Sequence, residues 1–182
     1  PAGFYRVRWL TVAVGAAFIA VSWLFGIWAA NTPGVIAAAL GSYEEVRRYV
    51  EEDFAAYYSE NPAASFAGQV WTNNAWIALQ AVAFGITGIW GPFVLYQNAL
   101  NVGIAGGTMA AYGKLDVFFT YILPHGLMEL TAVFIAVAAG LRIFWAWVAP
   151  GRRTRAVSVA AEGRSLFTVA LGLVLVLFLF RL

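Results

Sequence analysis

Long apolar runs alternate with short polar breaks along this 182-residue chain, and the runs have the length of membrane-crossing helices rather than of strands. From Trp9 to Ala30 no residue is charged, and at 1.5 Å per residue that stretch exceeds a hydrocarbon core of roughly 30 Å. Later runs predict further spans at about 66–89, 92–112, 126–148 and 165–181. The expected fold is an all-α, polytopic transmembrane bundle of five spans in one domain, 1–182. Trp90-Gly91-Pro92 reads as the tight turn between the second and third spans. Leu115–Ala149 is too long for a single crossing of about 20 residues. Residues 115–126 therefore read as a short re-entrant half-helix, broken at Pro124-His125-Gly126 and followed by a full helix.

The outer loop, 31–64, is the only substantial polar region. Ser42-Tyr43-Glu44-Glu45 has the form of a capping box, opening an amphipathic helix over 42–60. Tyr43, Val46, Val50, Phe54 and Tyr57 recur at helical spacing on one face, with Glu44, Arg47, Arg48, Glu51 and Glu52 on the other. Asn61-Pro62 ends the helix. Its polar face is either a partner-docking surface or simply the solvated side of a helix packed on the bundle.

Charge sets the orientation. Arg6 and Arg8 precede the first span, and the loop 149–156 carries Arg152, Arg153 and Arg155, so both belong on the cytoplasmic side of the membrane, with the acidic loop outside together with Arg47, Arg48 and Lys114. Arg142 and Glu162 fall near that cytoplasmic surface, where a salt bridge between them and snorkelling of Arg142 to headgroups are equally good solutions. The start at Pro1 and the end just after an apolar run read as truncation at both ends.

Composition removes other classes. A hydrophobic fraction of 62% against 11% charged, with a mean hydropathy of +0.76, excludes an ordinary soluble domain. With no cysteine there is no disulfide, thiolate chemistry or usual structural zinc site, and no cofactor is implied. No Lys/Arg run is long enough to track nucleic-acid phosphates.

Against this apolar background a few polar groups stand out. His125, the only histidine, and Glu129 lie four apart in the fourth span, bracketed by Pro124 and Gly126. Ionisable groups in a span are costly and mark a candidate intramembrane site. Asn73, Asn74, Asn98 and Asn101 on the second and third spans should face inward to meet them, since amides are tolerated in lipid only when protein satisfies them. Gly103 and Gly107 form a G-x-x-x-G pair that lets another helix approach, within the bundle or in a homo-oligomer. Three uses of the turn compete. It is a neutral hydrogen-bonded structural knot, a proton- or ligand-handling site of a small-solute or lipid transporter, or a catalytic or metal site. One His and one Glu supply two ligands where zinc needs three or four, and H-G-L-M-E is not the H-E-x-x-H zinc helix, so no catalytic or metal residue is assigned.

Val70-Trp71-Thr72-Asn73-Asn74, Leu123-Pro124-His125-Gly126 with Glu129, Ala139-Gly140-Leu141-Arg142 and the Pro150-Gly151-Arg152 turn together resemble the stage II sporulation protein M family over nearly the whole chain. The resemblance implies a bacterial multi-pass membrane protein that is not an enzyme. The founding member is a scaffold that localises peptidoglycan hydrolases to a division septum, and relatives often neighbour MoxR-type ATPases and RDD-type membrane proteins. The expected function is thus a non-catalytic scaffold or complex subunit that organises cell-envelope partners. The alternative is transport through the His125/Glu129 site.

Overall fold

The computed structural model describes residues 2–59 and 63–179, with the side chains of 2, 58, 59, 63–71, 125, 128, 167, 170 and 174–179 outside the description. It is all-helical, 90% helix, with no strand among the described residues. In order, α1 spans Ala2–Ala30, α2 Pro33–Leu40, α3 Tyr43–Arg48, α4 Phe54–Ser59, α5 Ala63–Ala83, α6 Trp90–Ala111, α7 Leu115–Val148 and α8 Arg155–Leu179. Among the described residues, three helices hold stretches long and apolar enough to cross a membrane: Gly3–Ala30, Glu129–Val148 and Arg155–Leu173.

The C-terminal part of α7 is the axis of the bundle. Half of Glu129–Val148 is buried, against 11% of the α1 stretch and 6% of the α8 stretch, so α1 and α8 present most of their surface outward. The main core joins Val14 and Phe18 of α1, Ala81 of α5, Ala99 of α6, Val133 and Val137 of α7, and Leu166 of α8. Small residues set the spacing. Gly140 of α7 lies directly against Ala81 and Gly85, where a Cβ on either glycine would fall on the other segment's backbone.

The expected break in α7 is absent. The helix continues through Pro124 from Leu115 to Val148, so residues 115–126 are the first turns of one long helix and not a re-entrant hairpin. A proline removes one hydrogen bond and crowds one carbonyl, which tertiary packing on either side can outweigh. Here Phe118 stacks on Phe54 at 5.8 Å, and Phe134 packs on Phe18 at 5.1 Å, one on each side of the proline. At 1.5 Å per residue α7 is about 50 Å long, well beyond a hydrocarbon core.

The turn before α6 also differs. It lies over Phe84–Ile89, with a 3₁₀ turn at Gly85–Thr87 and left-handed Gly88 (φ 69°), and not at Trp90-Gly91-Pro92. The Thr87 hydroxyl accepts from the N–H groups of Ile89 and Trp90, and Pro92 falls in the first turn of α6, where its missing N–H costs nothing. At the other end of α6, Gly113 (φ 70°) donates to Ala110 and Lys114 to Met109, a glycine-closed terminus that releases the chain into α7.

The polar loop holds more structure than its sequence announced. Pro33–Leu40 forms α2, and the helix from Tyr43 to Ser59 carries a π-helical turn at Tyr49–Asp53. The capping box is present, with Ser42 and Glu45 bonded reciprocally. Val46, Val50 and Phe54 are buried, whereas Tyr43 and Tyr57 are exposed. One extra residue in a turn rotates everything after it, so a face drawn at a constant 100° per residue does not persist through Tyr57.

Candidate functional site

α5 crosses α7 so that the Asn74 amide donates to Glu129 Oε2 at 2.7 Å, in a partly buried contact. This is the one meeting among the expected site residues that the described side chains display. The His125 side chain lies outside the described residues, and its backbone is part of α7. Pro124 is exposed and Gly126 partly buried, both in continuous helix.

The other asparagines do not converge. Asn73 and Asn101 are exposed on the bundle surface. Asn98 is partly buried but donates to the Val94 carbonyl of its own helix at 2.8 Å. The reason is geometric: consecutive helical residues diverge by about 100°, so Asn73 and Asn74 cannot both look at α7. An amide can also satisfy itself one turn back, which needs no partner helix.

Gly103 and Gly107 face α1 of the same chain. A Cβ on Gly103 would stand 2.6 Å from the Ser22 carbonyl oxygen and 2.7 Å from Phe25 Cβ, and one on Gly107 would fall on the Gly26 carbonyl. Gly26 completes the contact from α1, so this G-x-x-x-G face closes the bundle internally and is not available to a second copy.

A second polar cluster ties three helices together at the opposite end. Glu162 Oε1 of α8 accepts from Arg6 of α1 at 2.9 Å and lies 3.5 Å from Arg142 of α7. The salt-bridge alternative for Arg142 is therefore the one realised. Arg6 as second partner was missed, and the available signal was its place at the start of a span that must begin at the same surface as Arg142. The Glu162 side chain is 12% exposed, while the two arginines are 51% and 40% exposed, which suits a carboxylate shielded by cations that still reach water. Arg8 lies over the Tyr5 and Trp9 rings, and Arg155 over Trp147, as interfacial cations and aromatics do.

At the far end, Arg47 pairs with Glu51 and Arg48 with Asp53, both in the open. Glu45 is held below its ordinary carboxylate value, chiefly by the backbone N–H of Ser42 and then by the Ser42 hydroxyl. Among the described residues no group of three or more His, Asp or Glu stands together as a metal site would require.

No curated protein and no solved structure matches the chain. The family model for stage II sporulation protein M matches residues 15–180, which takes in the whole of α5, α6, α7 and α8 and the Asn74–Glu129 contact. With nine-tenths of its length so matched and helices apolar enough to cross a membrane, the chain belongs to the stage II sporulation protein M family of membrane proteins.

Proposed function

We propose that this protein is a non-catalytic scaffold, or a subunit of a complex, in the bacterial cytoplasmic membrane, where it organises cell-envelope partners. The observation that carries the reading is the ion-paired acidic face of the helix over 43–59. Its apolar side is committed to the bundle through Val50 and Phe54, against Met109 and Phe118, so its charged side is held rigidly outward. The family is not a known enzyme family, which is consistent with a role in binding. Five crossings with a cytoplasmic amino terminus suit the charge pattern: arginines at 6, 8, 142, 152, 153, 155 and 164 belong to one end, and acids at 44, 45, 51, 52 and 53 to the other, where Arg47 and Arg48 are ion-paired with two of them and Lys114 is the remaining cation. α5 and α6, at 21 and 22 residues, reach about 31–33 Å and supply the remaining two crossings. The partners this reading favours are peptidoglycan hydrolases or ATPase-linked membrane proteins.

The test is affinity purification from native membranes in mild detergent. A stoichiometric envelope hydrolase should copurify with the parent chain and be depleted by the triple reversal Glu44→Lys, Glu51→Lys, Glu52→Lys, with helicity and thermal stability kept. Equal partner yield from the reversed chain would remove the acidic face from the proposal.

The Asn74–Glu129 contact favours a second reading, transport of a small solute through the α5–α7 seam, because a carboxyl within an apolar span can change protonation during a cycle. Solute-dependent stabilisation of the purified protein alone, lost in Glu129→Gln, would support transport over the scaffold.

A further inference from the structure

Side-chain amides face outward from α5 and α6, where the chain offers them nothing to bond. Asn73 of α5 and Gln97 and Asn101 of α6 are exposed, and none of them makes a hydrogen bond among the described residues. Asn98 differs, since it turns back to the Val94 carbonyl. At 1.5 Å per residue Asn73 stands about 15 Å from the end of α5 at Ala83, and Asn101 about 16 Å from the start of α6 at Trp90. Each is therefore half-way along its helix, as far from water as a crossing of roughly 30 Å allows. We propose that this face of α6 pairs with the same face of a second copy of the chain, in a two-fold dimer. The pairing depends on α5 and α6 crossing the membrane and not on the scaffold role.

Lipid tails offer an amide no hydrogen bond, and headgroups do not reach the middle of the core, so another helix must supply the partner. What the face lacks fixes the chemistry of that helix. Between Phe93 and Ile104 no residue is charged, so nothing there selects a charged partner. A carboxamide donates and accepts at once and is its own complement. Copies inserted in the same orientation are related by a two-fold axis along the membrane normal, which sets residues of equal depth opposite each other. Asn101 then meets Asn101 of the second copy, and Gln97 meets Gln97.

The spacing suits a helix pair. Phe93, Gln97, Leu100 and Ile104 recur at intervals of four, three and four, the repeat of a left-handed seam, with Asn101 at its edge. Phe93 is exposed, and Leu100 and Ile104 are partly buried. Gly103 and Gly107 lie off this seam, turned towards α1, so the dimer contact and the internal contact use different sides of one helix.

Cysteine crosslinking in native membranes tests the pairing, because the chain has no cysteine of its own. Leu100→Cys and Ile104→Cys keep every amide, and on oxidation with copper phenanthroline each should give a disulfide-linked dimer of this chain. Ile19→Cys and Leu24→Cys, outward on α1 at 65% and 66% exposure, should stay monomeric. Monomers at both seam positions, equal crosslinking on α1, or a different polypeptide joined at the seam would overturn the dimer. A water-soluble maleimide that labels Leu100→Cys in sealed membranes would refute the crossing of α6, and the dimer with it. Unlabelled cysteines that fail to pair refute the pairing alone. The amides are tested by Gln97→Leu combined with Asn101→Leu, which puts hydrocarbon on a face the single chain leaves to lipid and so spares the fold. Copurification of two differently tagged, coexpressed copies should fall about tenfold with helicity kept, as expected for losing a set of weak interhelical amide bonds. Undiminished copurification sinks the proposal. Should the paired leucines misfold, the cysteine pattern decides.

Discussion

Glu129 shows how much one hydrogen bond can carry in a low-dielectric setting. The Asn74 amide supplies its described partner at 2.7 Å, and each group relieves the burial cost of the other. Glutamine presents the same acceptor, so Glu129→Gln should change stability by less than about 1 kcal/mol, whereas Glu129→Leu strands the amide and should cost about 1–3 kcal/mol. Thermal unfolding in detergent separates the two; equal losses would mean that charge, not hydrogen bonding, is what matters at this position. Glu45 allows a pH prediction on the solvated side. Its folded pKa is depressed below 4.5 by the Ser42 contacts, so its contribution is complete above about pH 4.5 and is lost as pH falls through the lower folded value. Protection of the amides over residues 42–48, taken relative to their intrinsic exchange at the same pH, should therefore fall in acid in the parent chain. In Glu45→Gln that acid-dependent part should be missing, and a persistent one would assign the titration elsewhere.

Between elements, small residues decide which helices touch. Gly26, Gly103 and Gly107 bring α1 and α6 into backbone contact, and Gly85 and Gly140 do the same for the α5–α6 turn and α7. Gly107→Ala should therefore destabilise by about 1–3 kcal/mol, because the new methyl falls on a carbonyl that its own helix holds in place. Gly163 in α8 is the control: a Cβ there meets nothing within 4 Å, and Gly163→Ala should stabilise by about 0.5–1 kcal/mol through helix propensity. Melting temperatures that move in the same direction would contradict the packing. The continuity of α7 through Pro124 belongs to this scale as well. The residue's local preference is to break, and the ring contacts of Phe118 and Phe134 on neighbouring helices outweigh it.

Across the whole molecule, charge and lipophilicity are segregated along one axis. Arg6, Arg142 and Glu162 lock α1, α7 and α8 at one end, and the acidic surface helix caps the other through Phe54 and Phe118. The proposed topology makes these ends face opposite sides of the membrane. Because the chain contains no cysteine, single cysteines at Arg153 and at Glu52 report this cleanly. An impermeant maleimide added to intact spheroplasts should label the Glu52 position and leave the Arg153 position unlabelled until the membrane is opened. Labelling of both positions before opening would refute the five-span arrangement.

Several features could be read from residues alone because their cause is local. The apolar runs, the Ser42 capping box, the three buried positions of the surface helix and the arginine asymmetry all follow from composition, spacing and near-neighbour hydrogen bonding. What only the tertiary structure decided depends on competition between partners far apart in sequence. Sequence could nominate four asparagines for Glu129 but not choose Asn74, because that choice rests on how α5 is rotated against α7. It offered Gly103 and Gly107 as an interface without saying that α1 would occupy it, and Glu162 as a partner for Arg142 without adding Arg6.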